Sequence, residues 1–384
     1  MEVRRTVDRL LRKLEKAYVT HNRIEISKSA ILHNLDLCTS KAGMPAIPVL
    51  KGNAYGHGIM LVAQALNGRQ LPYIAVDGYF EALRIREVSK QPILIMGAIL
   101  PENYARLKYD HFAFVVDNPK SIHALGATGK RVKIHLEINT GMNRYGAAPE
   151  ETIQLAQLIL SYKNLELEGL MSHLADSDGN DPSTIDMAVD QFDACVEAVR
   201  ELGAHPSLLH IAQTAGSVRT KSKYANAFRL GIGLYGINPF PKAHPSYSEL
   251  RELQPALRLV STITKTIALH KGDRVSYNYT FIAPKAMTIG ILPLGYYEGI
   301  NRQLSNVGIV KIGRKYTPIV GRVCMNHTMI SLEGIAAKEG DEVTVYSGNP
   351  SDSNTIQAIA DAHNLFAYNL LTALSPDVRR MLVR

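Results

Sequence analysis

VKIHLEI at Val132–Ile138, EETIQLAQLILSY at Glu150–Tyr162 and LELEGLM at Leu165–Met171 decide the fold. The first and last are short runs rich in Val, Ile and Leu; the middle one carries apolar residues at helical spacing. Strand, helix, strand is the unit that joins parallel strands buried on both faces. Working outward, similar runs occur at Ile47–Leu50, Tyr73–Val76, Ile93–Met96, Ala113–Val116, Leu208–Ala212 and Phe228–Ile232. Helix-like stretches separate most of them, clearest at His57–Leu66, Phe80–Val88 and Ser183–Leu202. Eight runs in this rhythm predict a closed (β/α)8 TIM barrel. The alternative is an open doubly wound sheet, but no G-x-G-x-x-G follows the first run.

The rhythm stops where Pro239, Pro241, Pro245 and Pro255 cluster, which reads as a linker. Beyond it Leu257, Leu259, Ile263, Ile267 and Leu269 sit at even spacing, the pattern of one half-buried strand. Short strands and Gly-containing turns continue to the end, with helical patterns only at Thr355–His363 and Asn369–Leu374. The expected domains are a basic helical extension over 1–22, a barrel over 23–254 and a mostly-β C-terminal domain over 255–384. In the extension, Val3, Val7, Leu10, Leu11 and Leu14 form an apolar stripe among Arg and Lys residues. Such stripes usually face protein, so packing on this chain or a subunit partner is expected over membrane association.

The net charge of +8 is modest for 384 residues and suits anionic small molecules as well as nucleic acid. No basic tract interleaved with aromatics is present, so nucleic-acid binding is not expected. Three dispersed cysteines (Cys38, Cys195, Cys324) form no C-x-x-C pair, which argues against a zinc site or disulfide framework and for a reducing cytoplasm. No apolar run reaches the length of a membrane span; the best, Pro92–Leu100, is short and contains glycine.

Reactive groups of this fold sit at the C-terminal ends of strands. Lys51 closes the first run, either as a lysine reaching solvent or as a Schiff-base nucleophile. Tyr55, in the turn that follows, offers a hydroxyl to a phosphate. Arg144, after the fifth run, is a surface residue or a carboxylate clamp. Glu137 and Asn139 precede it and are placed to orient it. His173 follows the sixth run, and a lone histidine is more often a packed residue than a catalyst. Gln213–Gly216 and Gly231–Gly233 follow the seventh and eighth runs, the usual phosphate site of this fold. Thr214 there supplies a hydroxyl beside backbone N–H groups. A lysine and a phosphate cup in one barrel suggest pyridoxal phosphate.

Five strings carry a resemblance: KGNAYGHG (Lys51–Gly58), TGMNRYG (Thr140–Gly146), RLGIGLYG (Arg229–Gly236), ILPLGYYEG (Ile291–Gly299) and GRVCM (Gly321–Met325). In this order and spacing they resemble the alanine racemase family, from about residue 22 to the C-terminus. The resemblance implies a homodimer with shared active sites that interconverts L- and D-alanine and supplies D-alanine for peptidoglycan. Lys51 would hold pyridoxal 5'-phosphate and act as base on one face of the substrate. Tyr277 would be the base on the other face, supplied by the second subunit. Tyr55, Thr214, Gly231, Ile232 and Tyr368 match phosphate-binding positions, Arg229 the arginine at the pyridine nitrogen, and His173 a histidine beside the cofactor. Arg144 and the Met325 backbone match substrate-carboxylate contacts; Tyr296, Arg302 and Arg322 match the entrance. No metal is implied.

The sequence also departs from the family pattern. Glu137 stands where many members carry a lysine that can be carbamylated, and is expected to orient Arg144 directly or through water. Asn326, His327, Glu298 and Thr214 replace the commoner aspartate, glutamine, aspartate and serine. These changes leave open a racemase for serine or a broader amino-acid set. A fold-related decarboxylase and a non-catalytic pyridoxal phosphate carrier are disfavoured by the segments around Tyr277, Met325 and Tyr368.

Overall fold

In the computed structural model, residues 18–109 and 111–384 are described. The expected helix of 1–22 falls mostly on residues outside that range; Tyr18–Asn22 carry no helix. One compact unit is Ile26–Ala256 with Gly348–Pro350 and Leu382–Arg384. The other is Leu257–Ser347 and Ser351–Met381 with the residues leading to Glu25.

After β1 (Arg23–Ser27), the first unit contains β2 (Ala46–Pro48), β3 (Ile74–Val76), β4 (Ile93–Ile95), β5 (Phe112–Val116), β6 (Val132–Glu137), β7 (Leu165–Met171), β8 (Leu208–His210) and β9 (Phe228–Leu230). β3 to β8 form a six-stranded sheet in sequence order, and β2 pairs with β9; every pairing is parallel. The eight expected strands are thus present as a curled six-stranded sheet and a two-stranded pair, not as one uninterrupted ladder. The seams are narrow. An isolated bridge links Val49 to Ala75, and Arg229 donates its N–H to the Ala212 carbonyl at 2.9 Å. The physical reason is strand length: β2, β8 and β9 have three residues each, and Pro48 has no N–H to extend its ladder.

Residues at period two along the strands point to one shared core: Ile47 and Val49, Tyr73 and Ala75, Ala113 and Val115, with Leu94 and Met171. Helices cover the other face. In Ser183–Glu201 the buried residues include Ile185, Ala188, Val189, Phe192, Val196 and Val199, the stripe of an amphipathic helix. Phe192 is fully buried, so its truncation to alanine should cost about 3–5 kcal/mol.

The second unit contains β10 (Leu257–Thr262), β11 (Lys265–Leu269), β12 (Arg274–Val275), β13 (Phe281–Ile282), β14 (Met287–Leu292), β15 (Ile309–Ile312), β16 (Lys315–Pro318), β17 (Thr328–Ser331), β18 (Glu342–Tyr346) and β19 (Arg379–Val383). A six-stranded sheet has the order β16-β15-β18-β10-β1-β19, and a three-stranded sheet the order β11-β14-β17. The single strand expected over 257–269 is therefore two strands in two sheets. The chain changes partners between them: Ile263 N–H donates to the Asp341 carbonyl at 3.0 Å, and Thr264 N–H to Ile291 at 2.9 Å. Period-two patterning continues across such a switch, so the sequence does not mark it. The expected helices appear as Ile356–His363 and Ala367–Thr372.

Candidate active site

The chain leaves β2 and turns with the wrong hand. Gly52, Asn53, Ala54 and Tyr55 all have positive φ, at 62°, 56°, 55° and 50°. A non-glycine residue in this region costs about 1–2 kcal/mol, so the turn must be held by its surroundings. Glu81 accepts the Gly52 N–H through Oε1 at 2.7 Å. Asn53 Oδ1 accepts from the Ile59 N–H at 3.0 Å, and Ala54 is fully buried. The result is a fixed origin for Lys51, whose side chain is 39% exposed with Nζ 3.8 Å from Asp77 Oδ1.

The same turn aims Tyr55. Its ring lies 5.0 Å from that of Tyr235, whose hydroxyl donates to the Val49 carbonyl at 2.8 Å. A Cβ on Gly231 would stand 3.0 Å from the Tyr55 hydroxyl and 3.9 Å from Thr214 Oγ1. Glycine is needed there to keep this cradle open. Burial, then the charge of Asp77, pushes the Tyr55 hydroxyl up to about 12, leaving a neutral donor. Thr214 Oγ1 accepts from the Gly233 N–H at 3.2 Å. Ile232 begins the helical turn Ile232–Tyr235, where the first N–H groups lack intrahelical partners. Tyr55, Thr214, Gly231 and Ile232 are thus brought together.

Arg229 on β9 is 3% exposed. It donates to His210 Nδ1 at 2.6 Å, to the carbonyls of His210 and Ile211 at 2.9 and 3.1 Å, and to that of Ser172. His173 Nδ1 lies 3.2 Å from its other nitrogen. Burial lowers Arg229 to about 10, so it keeps its charge at neutral pH. Burial first, then Arg229, Arg144 and Lys51, drives His173 down to about 3, making it a neutral acceptor.

Arg144 is exposed on the loop after β6. Asn139 holds that loop instead of touching the arginine: its Oδ1 accepts from the Gly141 and Asn143 N–H groups at 3.1 and 3.0 Å. Glu137, only 8% exposed, is raised by burial and by Asp117 and lowered by Arg229, Arg144 and Lys51, with a net upward shift. Among the described residues no hydrogen bond joins Glu137 to Arg144, so any influence acts through space or water. A raised value means the fold holds this proton more tightly than the unfolded chain. The stability contribution therefore falls as pH rises from the ordinary toward the raised value. Glu137→Gln should match or exceed the wild-type Tm at neutral pH, yet raise KM several-fold. Wild-type KM should also climb as pH drops through the raised value. Melting curves and a KM–pH profile check both; an unchanged KM removes the role.

In the second unit Tyr277 is 68% exposed and follows Ser276, which sits at φ 65°. Ser276 Oγ donates to the Arg322 carbonyl at 2.7 Å and fixes that turn. Tyr277, Tyr296, Arg302, Val323, Cys324 and Met325 line a cavity of about 510 Å³. Tyr296 is held by its N–H to the Cys324 carbonyl at 3.0 Å. Tyr368 is not among the residues lining this cavity; its ring stacks on Phe366 with ring centres 4.7 Å apart. Sequence reading missed His210, His135 and Glu168. The available signal was weak: polar residues on buried strands, with Lys133 and Glu137 beside His135, Glu166 beside Glu168, and His210 at the end of β8.

Residues 26–239 match the alanine racemase N-terminal domain and residues 256–382 the alanine racemase C-terminal domain. The chain belongs to the alanine racemase family. It is 33% identical to the alanine racemase of Carboxydothermus hydrogenoformans, covering 88% of this chain and 92% of that one. It is 31% identical to the Lactobacillus acidophilus enzyme, covering 93% and 96%. The crystal structure of alanine racemase from Bacillus anthracis with bound L-Ala-P superposes with a TM-score of 0.85 at 27% identity, covering 96% of each chain.

Proposed function

We propose that this protein is a pyridoxal phosphate-dependent alanine racemase acting as a cytoplasmic homodimer, with D-alanine for peptidoglycan as its product. The observation that carries the reading is the left-handed turn of 52–55. It places Lys51 at a strand end and returns the Tyr55 hydroxyl to Thr214 and Gly231. The eight parallel strands would close as a barrel, supported by the Val49–Ala75 bridge at one seam and by backbone hydrogen bonds at the other, among them Arg229 N–H to the Ala212 carbonyl.

The residues fit the cofactor. Tyr55, Thr214 and the backbone at Gly231 and Ile232 suit a phosphate dianion, with a space that a Cβ at 231 would fill. Tyr368 would add a further phosphate contact. Arg229 would hold the pyridine nitrogen and His173 would flank it. Pyridoxal phosphate supplies the electron-withdrawing ring that acidifies the substrate's α-proton. Arg229 keeps its own proton at neutral pH, so it donates a hydrogen bond without transferring a proton. Arg144 would bind the amino acid's carboxylate; the Met325 backbone and Tyr296, which line one cavity with Tyr277, would be supplied with it by the partner subunit. Lys51 removes or returns the α-proton on one face; Tyr277 of the partner subunit does so on the other. Two bases invert the centre without turning the substrate.

The test is proton NMR with L-alanine in D₂O and chiral analysis of the product, with L-serine and L-lysine in parallel. Loss of the α-proton signal with appearance of D-alanine is expected. Fastest turnover of another amino acid would reassign the substrate. Absence of exchange with all three, despite bound cofactor, would overturn the reading.

A further inference from the structure

Arg229 is a buried cation whose hydrogen-bond partners, among the described residues, are all neutral. Behind it runs a line of polar side chains through the sheet core. His210 Nε2 lies 2.8 Å from His135 Nδ1, and His135 Nε2 lies 3.2 Å from Glu168 Oε2. Both histidines are fully buried and Glu168 nearly so. Lys133, with a half-exposed side chain, and the Tyr73 hydroxyl also donate to Glu168.

The backbone is shaped for this contact. Along β6 and β7, Ile134 pairs with Leu167 but His135 pairs with Gly169, so Glu168 is the extra residue of a β-bulge. Bulges re-aim side chains. A Cβ on Gly169 would stand 2.5 Å from His135 Nδ1, so only glycine admits the imidazole edge there.

We propose that Glu168 and His135 are positioning residues that fix the tautomer of His210 and so hold Arg229 as a pure donor. The proton assignment is forced from the far end. An ionised carboxylate only accepts, so His135 carries its proton on Nε2 and bares Nδ1. His210 must then donate from Nε2, which bares its own Nδ1 for Arg229. Burial lowers both histidines and keeps them neutral. Burial alone would raise Glu168, but hydrogen bonds from His135, Lys133 and Tyr73 bring it to about 2. No proton moves; the carboxylate serves as a distant counter-charge to Arg229, passed through two polarised rings.

The tautomer claim stands on this geometry alone; its effect on turnover rests on the racemase reading. The test is long-range ¹H–¹⁵N correlation on histidine-labelled holoenzyme, with signals assigned by His135→Asn and His210→Asn. Both rings should be neutral Nε2–H tautomers from about pH 6 to about pH 9. An Nδ1–H tautomer or an imidazolium at either ring in the wild type overturns the proposal without any variant at Glu168. A glutamine can donate as well as accept. Glu168→Gln should therefore mix the His135 tautomers and lower kcat about tenfold, with KM within about twofold. Glu168→Asp should restore the wild-type tautomer. Unchanged tautomers in Glu168→Gln would also overturn it. If the wild type shows these tautomers but racemises no amino acid, the racemase reading fails and the relay stands.

Discussion

Lys51→Ala should lose both racemisation and α-proton exchange by on the order of 10⁴-fold. The lysine is asked to hold the cofactor and to serve one face of the substrate, so neither enantiomer can be processed without it. The fold should survive. The side chain is 39% exposed and its ion pair among the described residues is loose, at 3.8 Å; such pairs contribute about 0–1 kcal/mol. Circular dichroism and melting should therefore resemble wild type, while the alanine α-proton signal persists in D₂O. A variant within tenfold of wild-type exchange would remove Lys51 from the chemistry and return it to the solvent-reaching lysine that its position alone allows.

Tyr277→Phe should separate the two faces. Racemisation should fall by about 10²–10⁴-fold, while one enantiomer continues to exchange its α-proton through Lys51. Exposure of Tyr277 at 68% within its unit makes a large stability loss an unsuitable explanation; such surface changes usually stay within about 0.5 kcal/mol. Mixing this variant with Lys51→Ala extends the test to the dimer. If each site takes its lysine from one subunit and its tyrosine from the other, a mixed dimer carries one intact site and one doubly defective site. An equal mixture should then recover about a quarter of wild-type activity, since half the dimers are mixed. Verified mixed dimers without activity would show that the two residues do not act across subunits.

Residues such as Ile47, Val49, Ala113 and Val115 made the parallel strands legible, because a strand buried on both faces must be apolar nearly throughout. The site was legible where a side chain follows a strand end: Lys51 and Thr214 both lie just beyond the strands whose runs pointed to them, whereas Arg229 lies inside β9 and was signalled only by the resemblance of RLGIGLYG. Other features left no mark. The left-handed turn of 52–55 contains Asn53, Ala54 and Tyr55, and nothing in those residue types announces four positive φ angles in a row. Glu168 looked like one more polar residue in LELEGLM; its bulge depends on register against β6, a non-local fact. Glu137 was expected to orient Arg144 directly or through water; among the described residues no hydrogen bond joins them, and Arg144 acts on the Glu137 carboxyl through its charge.

The position of β1 has a consequence for synthesis. The strand Arg23–Ser27 lies between β10 and β19 in its sheet, so an early segment is flanked by the last strand of the chain. Some 350 residues separate the two, and at about 5–20 residues per second the ribosome needs roughly twenty seconds to a minute to deliver β19 after β1. Until β10 is made β1 has no neighbour in this sheet, and until β19 is made its other edge stays unpaired. An excised 256–382 fragment meets the complementary problem: without Arg23–Ser27, β10 and β19 lose the strand between them and expose two edges. The C-terminal unit is therefore a contiguous piece of sequence only in part, and that sheet cannot be completed before β19 is made.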